Sequence, residues 1–533
     1  MNKRISIFLG FLFIILLLSD CAKRSRPTGG AEDKDAPVLI KANPSHLTTN
    51  FNEKEIKIYF DEYIKLKDLY TQLVVSPPLK NQPIISPVGV PSKYISIKIL
   101  DTLKENTTYT FNFGQSVTDN NEGNVLNDFK YVFSTGPIID SLKISGSIND
   151  AFQIEPDKSV TVMLYEFNEA YTDSIIYKEK PLYVASTLDS TLWEVSNIKA
   201  GEYMLLALSD KSKNYKFNPK EDKIGFVKQQ ITVPTDTNYT INLFKEILPY
   251  RLTRPSEISK GLIQFGYEGI ADSIKIEALS ESADFKNFLN FEKDKDTINY
   301  YFTGNKNDSI QFKVSNQNFM DTVVVKLRKK EIDSLSIASS TSSILHFKDT
   351  FKLISNIPIQ HVDTTKINFI DKDSLPMKYT IRISKDKKEV NFNFKKEYDA
   401  TYALKILPEA ITDFYGHISI DTLKYGLKTK KEVDYGKLYL TLQGVKRYPI
   451  KVQLLTEKGK VFEEIYALKE QQFDFFNILP GKYMLRVIYD DNKNKKWDTG
   501  NFLLKTQPEK VIYIHTILNI RANWDLTETF FLN

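Results

Sequence analysis

The 533 residues are 41% hydrophobic and 26% charged, enough apolar material for several domains, each with its own core. A formal charge of +5, with Lys and Asp/Glu interleaved along the chain, leaves no basic stripe and argues against nucleic acid as a partner. One cysteine, Cys21, excludes an intrachain disulfide framework and multi-thiolate metal sites.

At the N-terminus, Lys3 and Arg4 precede Ile5 to Leu18, an almost unbroken hydrocarbon run, and Leu18-Ser19-Asp20-Cys21 closes it. The run suits a signal-peptide core and is short for a membrane span. A lone thiol at that border resembles a bacterial lipoprotein signal, although Asp20 stands where such signals usually carry Gly, Ala or Ser. The resemblance implies that 1–20 form a lipoprotein signal peptide and that acylated Cys21 begins the mature chain. Loss of Lys3, Arg4 and Asp20 then lowers the charge to +4. Two or more acyl chains, at about 0.8 kcal/mol per buried methylene, suffice for stable anchoring. Residues 21–36, with Pro27, Gly29 and Gly30 and no apolar period, read as a flexible tether. By the same resemblance, Ala22 points to the outer membrane, and Lys23, Arg24 and Arg26 favour its periplasmic face. No later stretch is apolar for 18 residues, so the remaining chain is expected beside the membrane, not in it.

From Pro37 onward the texture is β. Alternations such as Ile56-Lys57-Ile58-Tyr59-Phe60 and Tyr109-Thr110-Phe111-Asn112-Phe113 recur between Asn, Asp, Gly and Pro clusters, which predicts an all-β fold of tandem β-sandwiches. The chain also repeats. Thr107 to Phe113, Ser116 to Asp119 and Asp128 to Thr135 parallel Ala400 to Ile406, Ala410 to Asp413 and Asp421 to Leu427. Upstream, Ile58 to Ile64 parallels Leu353 to Ile359. A second pair matches Asn197-Ile198-Lys199-Ala200-Gly201-Glu202-Tyr203-Met204-Leu205 with Asn477-Ile478-Leu479-Pro480-Gly481-Lys482-Tyr483-Met484-Leu485. Each member of that pair leads into an Asp/Asn-rich loop, at Asp210 and at Asp490.

The segment from Asp35-Ala36-Pro37 through Phe60-Asp61-Glu62 to Phe133-Ser134-Thr135-Gly136 resembles the SbsA-type bacterial Ig-like domain of envelope lipoproteins and S-layer proteins. The Asn-Ile-x-x-Gly-x-Tyr-x-Leu units resemble transthyretin-like, or carboxypeptidase-regulatory-like, domains. The division expected is an Ig-like domain over 37–136 and a transthyretin-like sandwich over 137–245. A β-rich domain of another type follows over 246–335, then a second Ig-like domain over 336–430 and a second transthyretin-like sandwich over 431–533.

Chemistry is sparse. In Asp490-Asp491-Asn492-Lys493-Asn494-Lys495-Lys496-Trp497-Asp498, the oxygens of Asp490, Asn492, Asn494 and Asp498 recur at spacings that a tight loop can turn towards one centre. Ca²⁺ takes six to eight such ligands. The loop resembles the first half of an EF-type calcium loop, without its central glycine or distal glutamate. Lys493, Lys495 and Lys496 oppose a divalent ion, and a polar turn capped by Asx side chains is the competing reading. The counterpart Asp210, Ser212, Asn214, Asn218 and Asp222 is a weaker candidate, and Asp119 to Asn124 reads as turn chemistry. The five histidines lack zinc spacing, and no nucleophile elbow or phosphate loop is present. Trp193, Trp497 and Trp524 are the residues that would stack on sugars.

These readings converge on a non-enzymatic, lipid-anchored envelope protein, a rod of five β domains. Its partners would be membrane lipid through Cys21 and other envelope proteins, an outer-membrane barrel among them. A carbohydrate-binding lipoprotein is the alternative.

Overall fold

The computed structural model describes residues 33–532, apart from 280–282, 293–294 and 329. The expected signal peptide, Cys21 and most of the expected tether lie outside the described residues. Among the described residues strands dominate, and the α-helices are single turns, Leu69–Gln72 and Ile175–Lys178. No helix of the described residues is long and apolar enough to cross a membrane. Two compact units are present. One runs up to Lys143 and takes in Leu182–Leu188 and Val195–Ala200; the other comprises Ile144–Pro181, Asp189–Glu194 and the chain from Gly201 on.

In the first unit, Glu55–Leu66 buries Ile56, Ile58, Phe60 and Ile64 on one face, the period of two that the sequence carries. It pairs with Leu39–Asn43 and with Ser92–Lys98, which in turn holds Ile84–Ser86. The opposing sheet is Val74–Ser76, Thr108–Asn112 and Lys130–Ser134. Phe51, Tyr109, Phe111 and Phe133 fill the space between the sheets, with Phe51 stacked on Phe133 at 3.9 Å.

The second unit contains the other Ig-like copy, and the internal repeat holds to the level of single bonds. Ile64 pairs with Asp119 in the first copy, and Ile359 with Asp413 in the second. Tyr109 Oη accepts from the Lys104 N–H at 2.9 Å, and Tyr402 Oη from the Glu397 N–H at 2.8 Å. Thr135 Oγ1 accepts from Thr107 N–H and donates to Lys104 O; Thr429 Oγ1 does the same with Ala400 and Glu397. One difference has a plain cause. The continuous strand Glu55–Leu66 becomes two strands, Phe351–Ser355 and Ile359–Val362, because Pro358 intervenes.

The second repeated pair, the one carrying the Asn-Ile-x-x-Gly motif, agrees equally well. In each, first and last strands run parallel: Leu142–Asp150 beside Asn238–Leu243, and Gly436–Gln443 beside Asp525–Phe531. In each, the strand after the Asn-Ile-x-x-Gly motif is central. Gly201–Ser209 pairs with Thr161–Glu166 on one side and with Lys223–Phe226 and Ile231–Val233 on the other. Gly481–Tyr489 lies between Ile450–Thr456 and Val511–Ile520. The intervening segment is also two-sheeted, with Ile263, Phe265, Tyr300, Phe312 and Val314 at its centre.

Within the second unit, the fifth sandwich packs on the second. Phe502 is fully buried, edge-on to Phe226 at 5.2 Å. Its N–H donates to Glu246 Oε1 at 2.6 Å. Thr499 Oγ1 donates to Lys245 O, Gln507 Nε2 to Phe226 O and Tyr513 Oη to Phe152 O, at 2.7, 2.9 and 2.8 Å. Within the second unit, therefore, the sandwiches are not strung in simple chain order, because a string would not make these contacts. The apolar faces of Phe226, Phe244 and Phe502 leave water by burying one another.

Candidate functional site: the acidic loops and the module joints

The two Asp/Asn-rich loops share one scaffold. Residues three and five places after the leading aspartate take left-handed backbone: Lys213 and Tyr215 at φ 53° and 61°, Lys493 and Lys495 at φ 64° and 63°. Asp210 Oδ2 accepts from the Tyr215 N–H at 2.7 Å, and Asp490 Oδ2 from the Lys495 N–H at 2.9 Å. A second, buried carboxylate closes each loop. Asp222 accepts from the N–H groups of Lys211 and Asn218; Glu509 accepts from those of Asp491 and Asp498. The donors stand one and eight places after the leading aspartate in both copies. Glu509 was not visible from sequence as a partner, because it arrives 19 residues after Asp490 while Asp222 arrives 12 after Asp210.

Around this scaffold the expected ligand residues divide. Asp490 is fully buried and takes Tyr466 Oη at 2.7 Å and the Asn494 N–H at 3.0 Å. Asn492, Asn494 and Asp498 do converge: both amide Nδ2 groups donate to Asp498 Oδ2 at 2.7 Å. The amide oxygens are engaged elsewhere, Asn492 Oδ1 by the Asn494 N–H and Asn494 Oδ1 by the Lys496 N–H. The centre of the loop therefore presents two N–H donors and one carboxylate. No group of three or more His, Cys, Asp or Glu among the described residues is placed to hold a metal ion. Burial raises the Glu509 pKa, against the pull of its backbone donors.

Asp119, buried in the first unit, uses both oxygens as a turn cap. Oδ1 accepts from the N–H groups of Asn121, Glu122 and Gly123, and Oδ2 from that of Asn124. Burial alone would raise its pKa, but the four donors together bring it below the ordinary aspartate value. Asp413, its repeat counterpart, takes the N–H groups of Tyr415 and His417 with one oxygen and lies 3.0 Å from His417 Nδ1 with the other.

The Asn-Ile-x-x-Gly motifs serve as joints. Asn197 and Asn477 both sit in left-handed backbone, at φ 60° and 52°. Asn197 Oδ1 accepts from Thr110 Oγ1 at 3.1 Å, and its amide donates to Asp140 O at 2.8 Å. Asn477 Oδ1 accepts from Tyr398 Oη at 2.7 Å. Asn197 makes these bonds inside the first unit, and Asn477 makes its bond inside the second. Asn tolerates this conformation and carries the polar reach that Gly lacks.

Of the tryptophans, Trp193 is buried against Gly146, where a Cβ would stand 2.5 Å from its ring. Trp497 donates from Nε1 to Glu509 O at 3.0 Å and lies 4.7 Å from the Phe152 ring. Trp524 is half exposed, with the Arg521 guanidinium 5.6 Å from its ring.

No curated protein matches this chain. Among solved structures it is similar to the surface layer protein SbsC, domains 1–6, at 11% identity and TM-score 0.14, covering 88% of this chain and 67% of that one. It is also similar to the major pilin subunit BcpA of Bacillus cereus at 10% identity and TM-score 0.13, covering 73% and 98%. Residues 33–135 match the family described as bacterial Ig-like domain, the part of the chain whose sandwich carries the Asp119 cap.

Proposed function

We propose that this protein is a non-enzymatic, lipid-anchored envelope component whose β-sandwiches form a structural or protein-binding scaffold. The observation that carries the reading is where the polar clusters go: Asp119, Asp490, Glu509, Asn197 and Asn477 are spent on capping turns and joining sandwiches. The Ig-like match over 33–135 supports the same reading. The thioether at Cys21 supplies the membrane end, on the outer membrane and facing the periplasm. Sheet edges and loops supply the contact surface for a protein partner, an outer-membrane barrel being one candidate.

Metabolic labelling with a clickable palmitate tests the anchor. The native chain should carry label and enter the detergent phase, and Cys21→Ser should lose both properties. An unlabelled native chain recovered from the aqueous phase would overturn the anchor. Crosslinking in intact cells followed by purification should recover a defined membrane complex.

A further inference from the structure

The contact between the second and fifth sandwiches leaves a cleft of about 850 Å³ beside it, within the range of about 300–1,000 Å³ of small-molecule sites. Its walls are the outward faces of strands from two different sandwiches. One wall carries Asn149 from Leu142–Asp150 and Asn238, Thr240 and Asn242 from Asn238–Leu243, all exposed. Their alternates Ile148, Ile241 and Leu243 are buried in the core, so the pleat fixes the polar set outward. The other wall carries Val511, Tyr513 and His515, the outward alternates of Val511–Ile520 around buried Ile514.

Tyr513 is held in place at its hydroxyl, which donates to Phe152 O at 2.8 Å and takes Arg486 Nη1 at 3.0 Å. The carboxylates beside the cleft are already occupied. Asp150 takes Lys223 Nζ at 2.6 Å and the N–H groups of Phe152 and Gln153; Glu509 takes two backbone N–H groups. Three amides, of Asn149, Asn238 and Asn242, remain along one wall opposite a fixed aromatic ring, while Thr240 Oγ1 lies 3.1 Å from Ser147 Oγ.

We infer that this cleft binds an oligosaccharide. A primary amide offers a donor and an acceptor in one plane, which matches vicinal hydroxyls acting in both roles. An apolar ligand would strand those amides without partners, and a metal ion would find no free carboxylate. The site differs from the tryptophans that the sequence suggested, and the inference stands without the scaffold reading.

The test is calorimetric titration of the full chain with a panel of gluco-, chito- and uronic-acid hexasaccharides. Saturable binding by a neutral member, an acidic member or both supports the proposal. The acidic arm would identify Lys228 and Lys510, at the cleft, as contributors. Asn238→Ala combined with Asn242→Ala, both on exposed positions, should weaken binding at least about tenfold while leaving the thermal midpoint unchanged. No saturable binding at millimolar glycan, or equal binding by the double variant, would overturn it.

Discussion

Single residues set the energetics of the loops. Asp490 joins a buried carboxylate to one hydroxyl and two backbone N–H groups, so Asp490→Ala strands three donors and should cost about 2–3 kcal/mol in urea unfolding. Because the amide oxygens of Asn492 and Asn494 already accept backbone donors, neither Ca²⁺ nor a chelator should move the thermal midpoint; a Ca²⁺-dependent rise would show that the loop re-forms around the ion. Asp119 gives a pH signature. Its folded pKa is depressed, so its contribution is complete above the unfolded value of about 3.9 and disappears as pH falls through the folded one. The first unit should lose stability in acid, and Asp119→Asn should flatten that dependence, read by tryptophan-independent far-UV CD. Asn492, Asn494 and Asp498, spaced along one loop, do come together there. What their spacing could not specify was which amide atom faces inward, since that follows from the left-handed turns at Lys493 and Lys495.

Elements explain why two sandwiches separated in sequence adhere. The segment Thr499 to Gln507 delivers one buried aromatic, Phe502, together with polar bonds at either side. Phe502→Ala removes the ring that meets Phe226 and should destabilise the second unit by about 3–5 kcal/mol, measured by chemical denaturation. Gly500 belongs to the same contact: a Cβ there would stand 2.7 Å from the Phe244 ring. The strand Gly481–Tyr489 shows what periodicity misses. Alternation places Arg486 outward and predicts exposure, yet it is buried, bonded to Gln453 Oε1 at 2.7 Å and stacked 4.4 Å from the Phe152 ring. An outward face is exposed only where no other sandwich covers it.

Across the whole second unit, the joint between second and fifth sandwiches is held in part by a buried carboxyl, Glu246. Burial raises the pKa of Glu246, only partly countered by the Phe502 N–H, and burial raises that of Glu509 nearby. A raised carboxyl pKa contributes stability that is complete below the unfolded value and fades as pH rises through the folded one. The contact should therefore tighten as pH falls from neutral towards the ordinary glutamate range of about 4.3. Hydrogen exchange at the Phe502 amide should slow accordingly, and Glu246→Gln, which keeps an acceptor for that amide, should reduce the trend to what Glu509 contributes. By itself the sequence determined the all-β class, the Ig-like sandwich and the two pairs of internal repeats, because strand alternation, turn residues and repeat spacing are local properties of the chain. Only the tertiary structure decided that the last sandwich returns to the second, that Glu509 closes the Asp490 loop and that Arg486 is covered. Those outcomes depend on which apolar surfaces meet across hundreds of residues, and no local pattern encodes that.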